Sequence, residues 1–212
     1  MNPLNQDQFK PRHIMYKITT TLILALIAGF SSALDNPTSV TAITNFEPEQ
    51  YLGQWYEIAR IPFYFENGCI APTTANYALT GDTLTVLNSC HKEDGSTSSS
   101  TGMAYFVESA NVAKLKVTFV PSWLRFTHIG RGDYWILYTD YNYSLVGSPN
   151  HKYLWILARS ESAEPQKVKF LLEIAKQQGF NPQQLVFNYP IESNLSPLNN
   201  QPLTQHDPLQ HN

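Results

Sequence analysis

The side chains that could carry out chemistry in this sequence are few and widely separated. Cys69 and Cys90 are its only thiols, and Glu57 lies in a segment with strand-like alternation. No Gly-x-Ser-x-Gly nucleophile turn is present. Two sulfurs alone cannot complete a tetrahedral zinc site. Three histidines lie in different predicted connections without metal-ligand spacing: His91, His128 and His151. We therefore predict no catalytic residue, no metal site and no cofactor.

A tryptophan and an arginine, far apart in the chain, indicate a different kind of function. Residues 53–56 read Gly-Gln-Trp-Tyr at the start of a predicted strand, and Arg159 ends a later strand. A guanidinium over an indole contributes about 0.5–2 kcal/mol and can close one end of a β-barrel. We predict that Trp55 and Arg159, with Gly53 opening the first strand, form a structural floor. The functional surface should then lie at the opposite, open end, which favours a container over a catalyst.

The first 33 residues have the pattern of a secretory signal peptide. Basic residues precede a largely apolar run at 18–30, and small residues follow at 31–33. A retained membrane anchor is the alternative, although a bilayer crossing needs roughly 20 apolar residues. Met15 could be the true start. No cysteine near the cleavage zone can accept a lipid, so we expect a periplasmic or secreted protein that is not a lipoprotein.

The remaining chain, about 180 residues, is long enough for one domain with a substantial core. Aromatic residues make up 13% of the sequence and charged residues only 15%, which favours a large apolar interior. The formal net charge of -3 provides no basic field to attract nucleic acid or anionic lipid headgroups. Export to an oxidising compartment favours a disulfide between Cys69 and Cys90 over two free thiols.

Short alternating segments separated by turn residues predict an antiparallel barrel or sandwich. The clearest alternation, Lys-Leu-Lys-Val-Thr-Phe at 114–119, predicts outward lysines and threonine and inward Leu115, Val117 and Phe119. We predict eight strands, near residues 53–60, 74–79, 83–89, 102–108, 113–120, 134–139, 143–147 and 152–158.

Beyond the last strand the period changes to that of a helix. Apolar residues recur at helical spacing between Pro165, placed to begin a helix, and Gly179, placed just past its end. This predicts one amphipathic helix outside the barrel, and residues 184–189 could add an edge strand. The predicted organisation is a signal peptide at 1–33, a linker at 34–44, a barrel with its helix at 45–191 and a disordered tail at 192–212.

Three motifs occur in a fixed order along the chain: Gly-Gln-Trp-Tyr at 53–56, Thr-Asp-Tyr at 139–141, and Arg159. With these motifs the chain resembles the lipocalins, and within them the bacterial lipocalin and apolipoprotein D branch. The resemblance implies an all-β fold, an eight-stranded up-and-down antiparallel barrel with a C-terminal helix packed outside. Asp140 is expected to cap a turn near the closed end. Many bacterial relatives are membrane lipoproteins, whereas this sequence lacks the acceptor cysteine.

Strand alternation and the resemblance together name the residues expected to line the cavity. If Arg159 points inward, Leu157 and Trp155 share its face and lie progressively nearer the mouth. Val117 and Phe119 face inward by the same rule. An eight-stranded barrel can also be filled by its own side chains, so any of these could be core filler. The resemblance adds Tyr77, Tyr134 and Ile136, and the segment at 104–106 adds Phe106.

The loop after the first strand is the expected lid. In the family this loop crosses the barrel mouth, and here Phe63, Tyr64 and Phe65 would present apolar surface to an entering ligand. Such aromatics could equally contact a bilayer or a protein partner. A Cys69–Cys90 disulfide would tie the far end of the lid to the third strand and contribute about 3 kcal/mol in the chain-entropy model.

The resemblance implies binding of a small hydrophobic or amphipathic molecule, a lysophospholipid or fatty acid, in membrane-lipid storage, transport or repair. Glu57 shares the parity of Trp55, so it would either receive a polar ligand head or be paired within the barrel. Two alternatives stay open: a catalytic lipocalin acting on a lipid or peroxide, and an interaction module with a filled barrel. No nucleic-acid partner is expected, peripheral membrane contact is left open, and the oligomeric state is not given by the sequence.

Overall fold

Eight antiparallel strands close into a barrel in the computed structural model, which describes residues 39–80, 83–121, 123 and 130–189. Each strand pairs with its neighbours in chain order, and the first strand closes the sheet by pairing with both the second and the eighth. The predicted eight-stranded up-and-down barrel is confirmed. The strands are β1 (Gly53–Arg60), β2 (Cys69–Thr80), β3 (Thr83–Lys92), β4 (Thr97–Phe106), β5 (Lys114–Thr118), β6 (Arg131–Thr139), β7 (Tyr143–Gly147) and β8 (Leu154–Ala158).

Three strands extend beyond their predicted limits at the end where the disulfide lies. β2 begins at Cys69 and β3 continues to Lys92, while β4 begins at Thr97, within a serine-rich run that lies between the predicted third and fourth strands. Serine has little intrinsic preference for strands, but pairing with β3 overrides it, with Ser98 opposite Cys90. Local strand propensity cannot predict a strand that forms through pairing with a distant segment.

Alternation along β5 places Leu115 inside the barrel at 2% exposure, as predicted. Thr118, predicted to face water, is fully buried instead. The chain turns at the end of β5, where the amide of Val120 donates to the Thr118 hydroxyl over 3.4 Å. Alternation gives the side of the sheet on which a residue lies, but a position outside the barrel is buried wherever another segment covers it.

A four-residue helix, α1 (Pro48–Tyr51), precedes β1. The helix after the barrel, α2 (Pro165–Gln177), packs its apolar face on the outside of the sheet, as predicted. Pro165 begins it without losing a hydrogen bond, and Gly179 ends it with a φ of +83°. Phe180 follows and presses on Gly147 of β7, where an added Cβ would lie 2.7 Å from the Phe180 ring. Four side chains form the buried face of α2: Val168, Leu171, Leu172 and Ala175.

Both ends of the described chain attach to the barrel wall. Residues 39–44, predicted to belong to a linker, are packed: Val40 and Ala42 are buried, and Ile43 exchanges backbone hydrogen bonds with Ile136 and Ala113 at 2.9 and 3.0 Å. The described part of the predicted linker is thus docked on the sheet, and a segment this short carries no periodic signal from which that docking could be predicted. At the other end, β9 (Val186–Phe187) pairs with β1 as an added edge strand, as predicted.

Two apolar clusters divide the molecule. One lies between α2 and the outer face of β6, β7, β8 and β1, and the other lies inside the barrel around Trp55. In the part of the chain that the structure describes, no helix is long and apolar enough to cross a membrane. The predicted signal peptide at 1–33, the alternative start at Met15 and the predicted tail at 192–212 lie outside the described residues.

Candidate ligand-binding cavity

One end of the barrel is closed by Trp55 and Arg159. The indole is fully buried, and the Arg159 guanidinium lies 3.9 Å from the ring centroid. The same guanidinium donates to the carbonyl oxygens of Tyr141, Gln54 and Gln50 at 3.1, 2.9 and 2.8 Å, so its donors converge on three chain segments. This arrangement holds the closed end together and leaves neither side chain available to a ligand.

Asp140 fixes the turn between β6 and β7 beside this closed end. One carboxylate oxygen accepts from the amides of Asn142 and Tyr143 at 3.1 and 2.7 Å, and the other lies 2.7 Å from Lys167 Nζ of α2. Burial opposes ionisation, but Lys167 and the two amides outweigh it and hold the pKa of Asp140 below its usual range. Asp140 is thus a turn cap tied to the outer helix.

A layer of three tyrosines lies above the floor, and we call Tyr51, Tyr77 and Tyr134 the tyrosine layer. The Tyr77 and Tyr134 hydroxyls are 2.6 Å apart, and Tyr51 donates to Ser144 Oγ at 3.0 Å. Burial raises the pKa of Tyr51 to about 12 and raises those of Tyr77 and Tyr134 well above their usual value. These neutral, hydrogen-bonded rings fill the barrel between the floor and the middle.

Above the tyrosine layer the barrel is hollow, with a cavity of about 490 Å³. This volume lies within the range of sites that enclose small organic ligands, roughly 300–1,000 Å³. Six of the residues predicted to line the cavity do so: Tyr77, Val117, Phe119, Tyr134, Trp155 and Leu157. Trp155 stacks on Tyr153 with ring centroids 5.8 Å apart and faces Tyr134 at 6.2 Å, which makes one side of the cavity aromatic.

Two predicted lining residues lie elsewhere. Ile136 is 1% exposed within the packed cluster around Trp55, and Phe106 packs on Phe46 with ring centroids 6.3 Å apart. Neither residue therefore belongs to the described lining of the cavity. Their side chains lie too near the floor, because alternation fixes the face of a strand and says nothing of depth within the barrel.

The lid is a short 3₁₀ turn, Tyr64–Glu66, whose flanks cover the mouth. Phe63 lines the cavity and meets Tyr153 and Trp155 edge-on, both at 5.6 Å between centroids. Tyr64 is 68% exposed and is not part of the described lining. The side chain of Phe65, the third predicted lid residue, lies outside the described part of the structure. Of the two described aromatics, Phe63 thus closes on the cavity.

Two carboxyl groups and one guanidinium meet beneath the lid. Arg60 Nη1 lies 2.7 Å from Glu57 Oε1, and Arg60 Nε lies 2.6 Å from Glu66 Oε2, an ion-pair distance without hydrogen-bond alignment. Asn188 also donates to Glu57 at 2.9 Å. Burial raises the pKa of Glu57, and burial followed by repulsion from Glu57 raises the pKa of Glu66 to about 8. Glu57 therefore faces the cavity and is also paired, which combines the two expectations for it.

The predicted disulfide joins Cys69 at the end of the lid to Cys90 on β3, so the chain has no free thiol. Among the described residues no group of three potential ligands is placed to hold a metal ion. Of the histidines, His151 contacts Phe180 outside the barrel, and His128 lies outside the described residues. The cavity lining therefore contains neither a thiol nor a histidine among its described side chains.

Sequence reasoning missed the polar side of the cavity. The described lining includes Thr73 of β2, Asn88 of β3 and residues 98–100 of β4. The signal was available, since Thr73 lies four residues from Tyr77 on the same face of its strand.

Comparison with known proteins agrees with this architecture. A family model described as a lipocalin-like domain matches residues 46–190. The outer membrane lipoprotein Blc of Vibrio cholerae is 33% identical over 162 residues, covering 74% of this chain and 90% of that protein. Temperature-induced lipocalin-1 of Arabidopsis thaliana is 39% identical over 158 residues, covering 70% and 84%. Apolipoprotein D of Macaca fascicularis is 36% identical over 170 residues, covering 72% and 85%.

Solved structures support the fold. Insecticyanin from the tobacco hornworm Manduca sexta superposes with a TM-score of 0.57 at 24% identity, covering 73% of this chain and 86% of that one. A closed barrel with a plugged floor and a hollow upper half, matched by the family model, defines a lipocalin, and the chain belongs to the lipocalin family. Within the family, its relatives place it in the branch of bacterial Blc and apolipoprotein D.

Proposed function

We propose that the protein is a non-enzymatic, extracytoplasmic carrier that holds one single-chain lipid, a lysophospholipid or a fatty acid, in its barrel. Membership of the lipocalin family supports the coarser function, the binding and transport of a small hydrophobic ligand. The observation that carries the proposal is the cavity of about 490 Å³ above the tyrosine layer, with Phe119, Tyr134 and Trp155 on its wall.

Transfer of the hydrocarbon tail out of water would drive binding. Each buried methylene contributes about 0.8 kcal/mol, so a tail of modest length supplies most of the affinity. The lid residue Phe63, which rests on Trp155 at 5.6 Å between centroids, would cover the tail once it has entered. Absence of a free thiol argues against thiol chemistry on the bound lipid.

The proposed location is the periplasm or the exterior of the cell. Bacterial relatives named outer membrane lipoprotein Blc support a place in the cell envelope. The signal-peptide pattern at 1–33 agrees with export, and the lack of a cysteine at that site supports a form without a lipid anchor.

Native mass spectrometry of the purified protein, followed by extraction and identification of any co-purified lipid, tests the proposal. We expect a mass increment equal to one single-chain lipid, and displacement of a fluorescent lipid probe by the extracted molecule. A protein that purifies empty and takes up no single-chain lipid would contradict it.

Contact with a membrane surface is a second role that one observation favours. Tyr64 of the lid is 68% exposed beside the mouth, where it could enter the interfacial region of a bilayer. Flotation of the protein with neutral phosphatidylcholine vesicles tests this role, with Tyr64→Ser expected to reduce the bound fraction. Equal flotation of the two proteins would remove Tyr64 from consideration.

A further inference from the structure

The three strands that face the aromatic side of the cavity present small polar side chains to it. Pairing sets Thr73 of β2 opposite Cys90 of β3, and Cys90 opposite Ser98 of β4. The next inward row towards the floor sets Ala75 opposite Asn88 and Asn88 opposite Ser100. We call four of these residues the polar wall: Thr73, Asn88, Ser98 and Ser100, all of which line the cavity.

Two members of the polar wall are buried without a hydrogen-bond partner. Thr73 is 7% exposed, and no described residue bonds its Oγ1. Asn88 Oδ1 is likewise buried and unpaired among the described residues. Buried polar atoms are nearly always paired, and leaving one unpaired is unfavourable. Both residues also line the cavity, so a group that enters it becomes available as a partner once their side chains turn towards it.

The charges around the cavity limit what that group can be. The described lining includes the carboxyl groups of Glu57, Glu66 and Asp133, and no lysine, arginine or histidine. The nearby Arg60 is already engaged by both glutamates at 2.7 and 2.6 Å, and Lys116 by Asp133 at 2.7 Å. A carboxylate head entering here would meet other carboxyl groups with no free cation among the described residues.

We infer that the polar wall is a head-group subsite for ligands that donate hydrogen bonds, so the cavity prefers single-chain amphiphiles with a hydroxyl or ammonium head over fatty-acid carboxylates. This inference rests on the proposed function and decides between its ligand classes. The head donates to Asn88 Oδ1 and exchanges a bond with the Thr73 hydroxyl. The tail lies along Phe119, Tyr134 and Trp155 on the opposite side.

Three probes that share a twelve-carbon tail separate these heads: dodecylamine, monolauroylglycerol and laurate, each titrated calorimetrically at pH 7. We expect at least one donor head to bind about tenfold more tightly than laurate, because hydrogen bonds to charged or buried partners have effects of that size. Tight dodecylamine binding would identify the ammonium as the preferred donor. Tight monolauroylglycerol binding would identify the hydroxyl as the preferred donor.

The failures of the inference and of the proposed function are distinct. Laurate binding as tightly as both donor probes overturns the head-group inference while leaving a lipid carrier in place. If none of the three probes binds or displaces a fluorescent lipid, the proposed function fails and the inference fails with it.

Variants locate the effect on the wall. Two variants remove one hydrogen-bonding group each: Thr73→Val, which keeps the side-chain shape, and Asn88→Leu. Each should weaken binding of the preferred donor probe about 3- to 10-fold, because one hydrogen bond is lost. Each should change laurate binding less than twofold. Thr101→Val, on the exposed outer face of β4, is the matched control and should change neither the affinity for the donor probe nor that for laurate. Equal weakening of all three probes by folded Thr73→Val would make the wall a packing surface and overturn the inference.

Discussion

Trp155 is the residue on which the aromatic side of the cavity is centred. Its indole contacts Phe63 of the lid, Tyr153 and Tyr134, with ring centroids 5.6, 5.8 and 6.2 Å apart. Removing it would take away both ligand contact and the support of the lid. Its role is thus distinct from that of Trp55, which is fully buried at the floor.

Trp155→Ala should weaken uptake of a fluorescent single-chain lipid probe about tenfold or more, because a buried aromatic side chain contributes about 1.5–3 kcal/mol of apolar contact. A fluorescence titration measures this change. Trp123→Ala is the control, since Trp123 is 69% exposed. Unchanged uptake in the Trp155 variant would remove this residue from the binding site.

Arg159→Ala should instead lower stability by about 2–4 kcal/mol, because it removes a cation over Trp55 and hydrogen bonds to three carbonyl groups. Chemical denaturation measures the loss. Arg159→Lys should recover only part of it, since an ammonium cannot stack and reach three acceptors together. Probe uptake by the folded fraction should be nearly normal, and a selective loss of uptake would contradict a purely structural floor.

Individual residues also show how far sequence reasoning reaches. Alternation from Arg159 was enough to place Trp155 and Leu157 in the cavity, because a period of two fixes the face of a strand. It could not separate Ile136 from Tyr134, which share a face and differ in depth. Of the polar wall, Thr73 could have been found by the same rule from Tyr77, whereas Ser98 and Ser100 could not, because their place depends on the pairing of serine-rich β4 with β3.

The lid and the strand β1 are joined through a buried ionisable cluster, which makes the lid sensitive to pH. Glu66 of the lid meets Arg60 and Glu57 of β1, and its pKa is raised to about 8 from an ordinary value of 4.5, chiefly by burial. Between these values the folded state keeps a proton that the unfolded state has released. Stability therefore falls as pH rises from about 4.5 to 8 and is not lowered further by this group above that range.

Glu66→Gln should reduce the fall in stability with rising pH, because an amide remains neutral over the whole range. Denaturation at pH 5 and pH 8 should show a smaller loss for the variant, the difference being at most about 1.4 kcal/mol per pH unit. Glu173→Gln, at an exposed pair with Lys176 on α2, is the control and should follow the wild type. Identical pH dependence of Glu66→Gln and the wild type would contradict the raised pKa.

The sequence predicts α2 near one end of the described chain, but it does not predict the docking of residues 39–44 at the other end. α2 has a long apolar stripe between Pro165 and Gly179, so its sequence alone predicts it. Residues 39–44 are too short for a period, and their burial comes entirely from docking on the barrel. Such segments are found only when the surface that receives them is known.

At the scale of the whole molecule, the barrel combines a packed half with a hollow half. The packed half lies towards the floor around Trp55, whereas the lid covers the cavity at the other end. The boundary between the halves is the tyrosine layer, held by the 2.6 Å contact between Tyr77 and Tyr134. A ligand in the barrel can therefore occupy only its upper part.

The tyrosine layer makes the barrel a molecular ruler. Affinity should rise by about 0.8 kcal/mol per methylene until the tail end touches these rings, then level off, because further carbons must stay outside. A calorimetric series of monoacylglycerols from eight to eighteen carbons would show the plateau, and Tyr77→Ala should move it to longer tails whereas Tyr105→Ala on the outer face should not. A steady rise in affinity through eighteen carbons would mean that the rings of the tyrosine layer move aside to admit the tail.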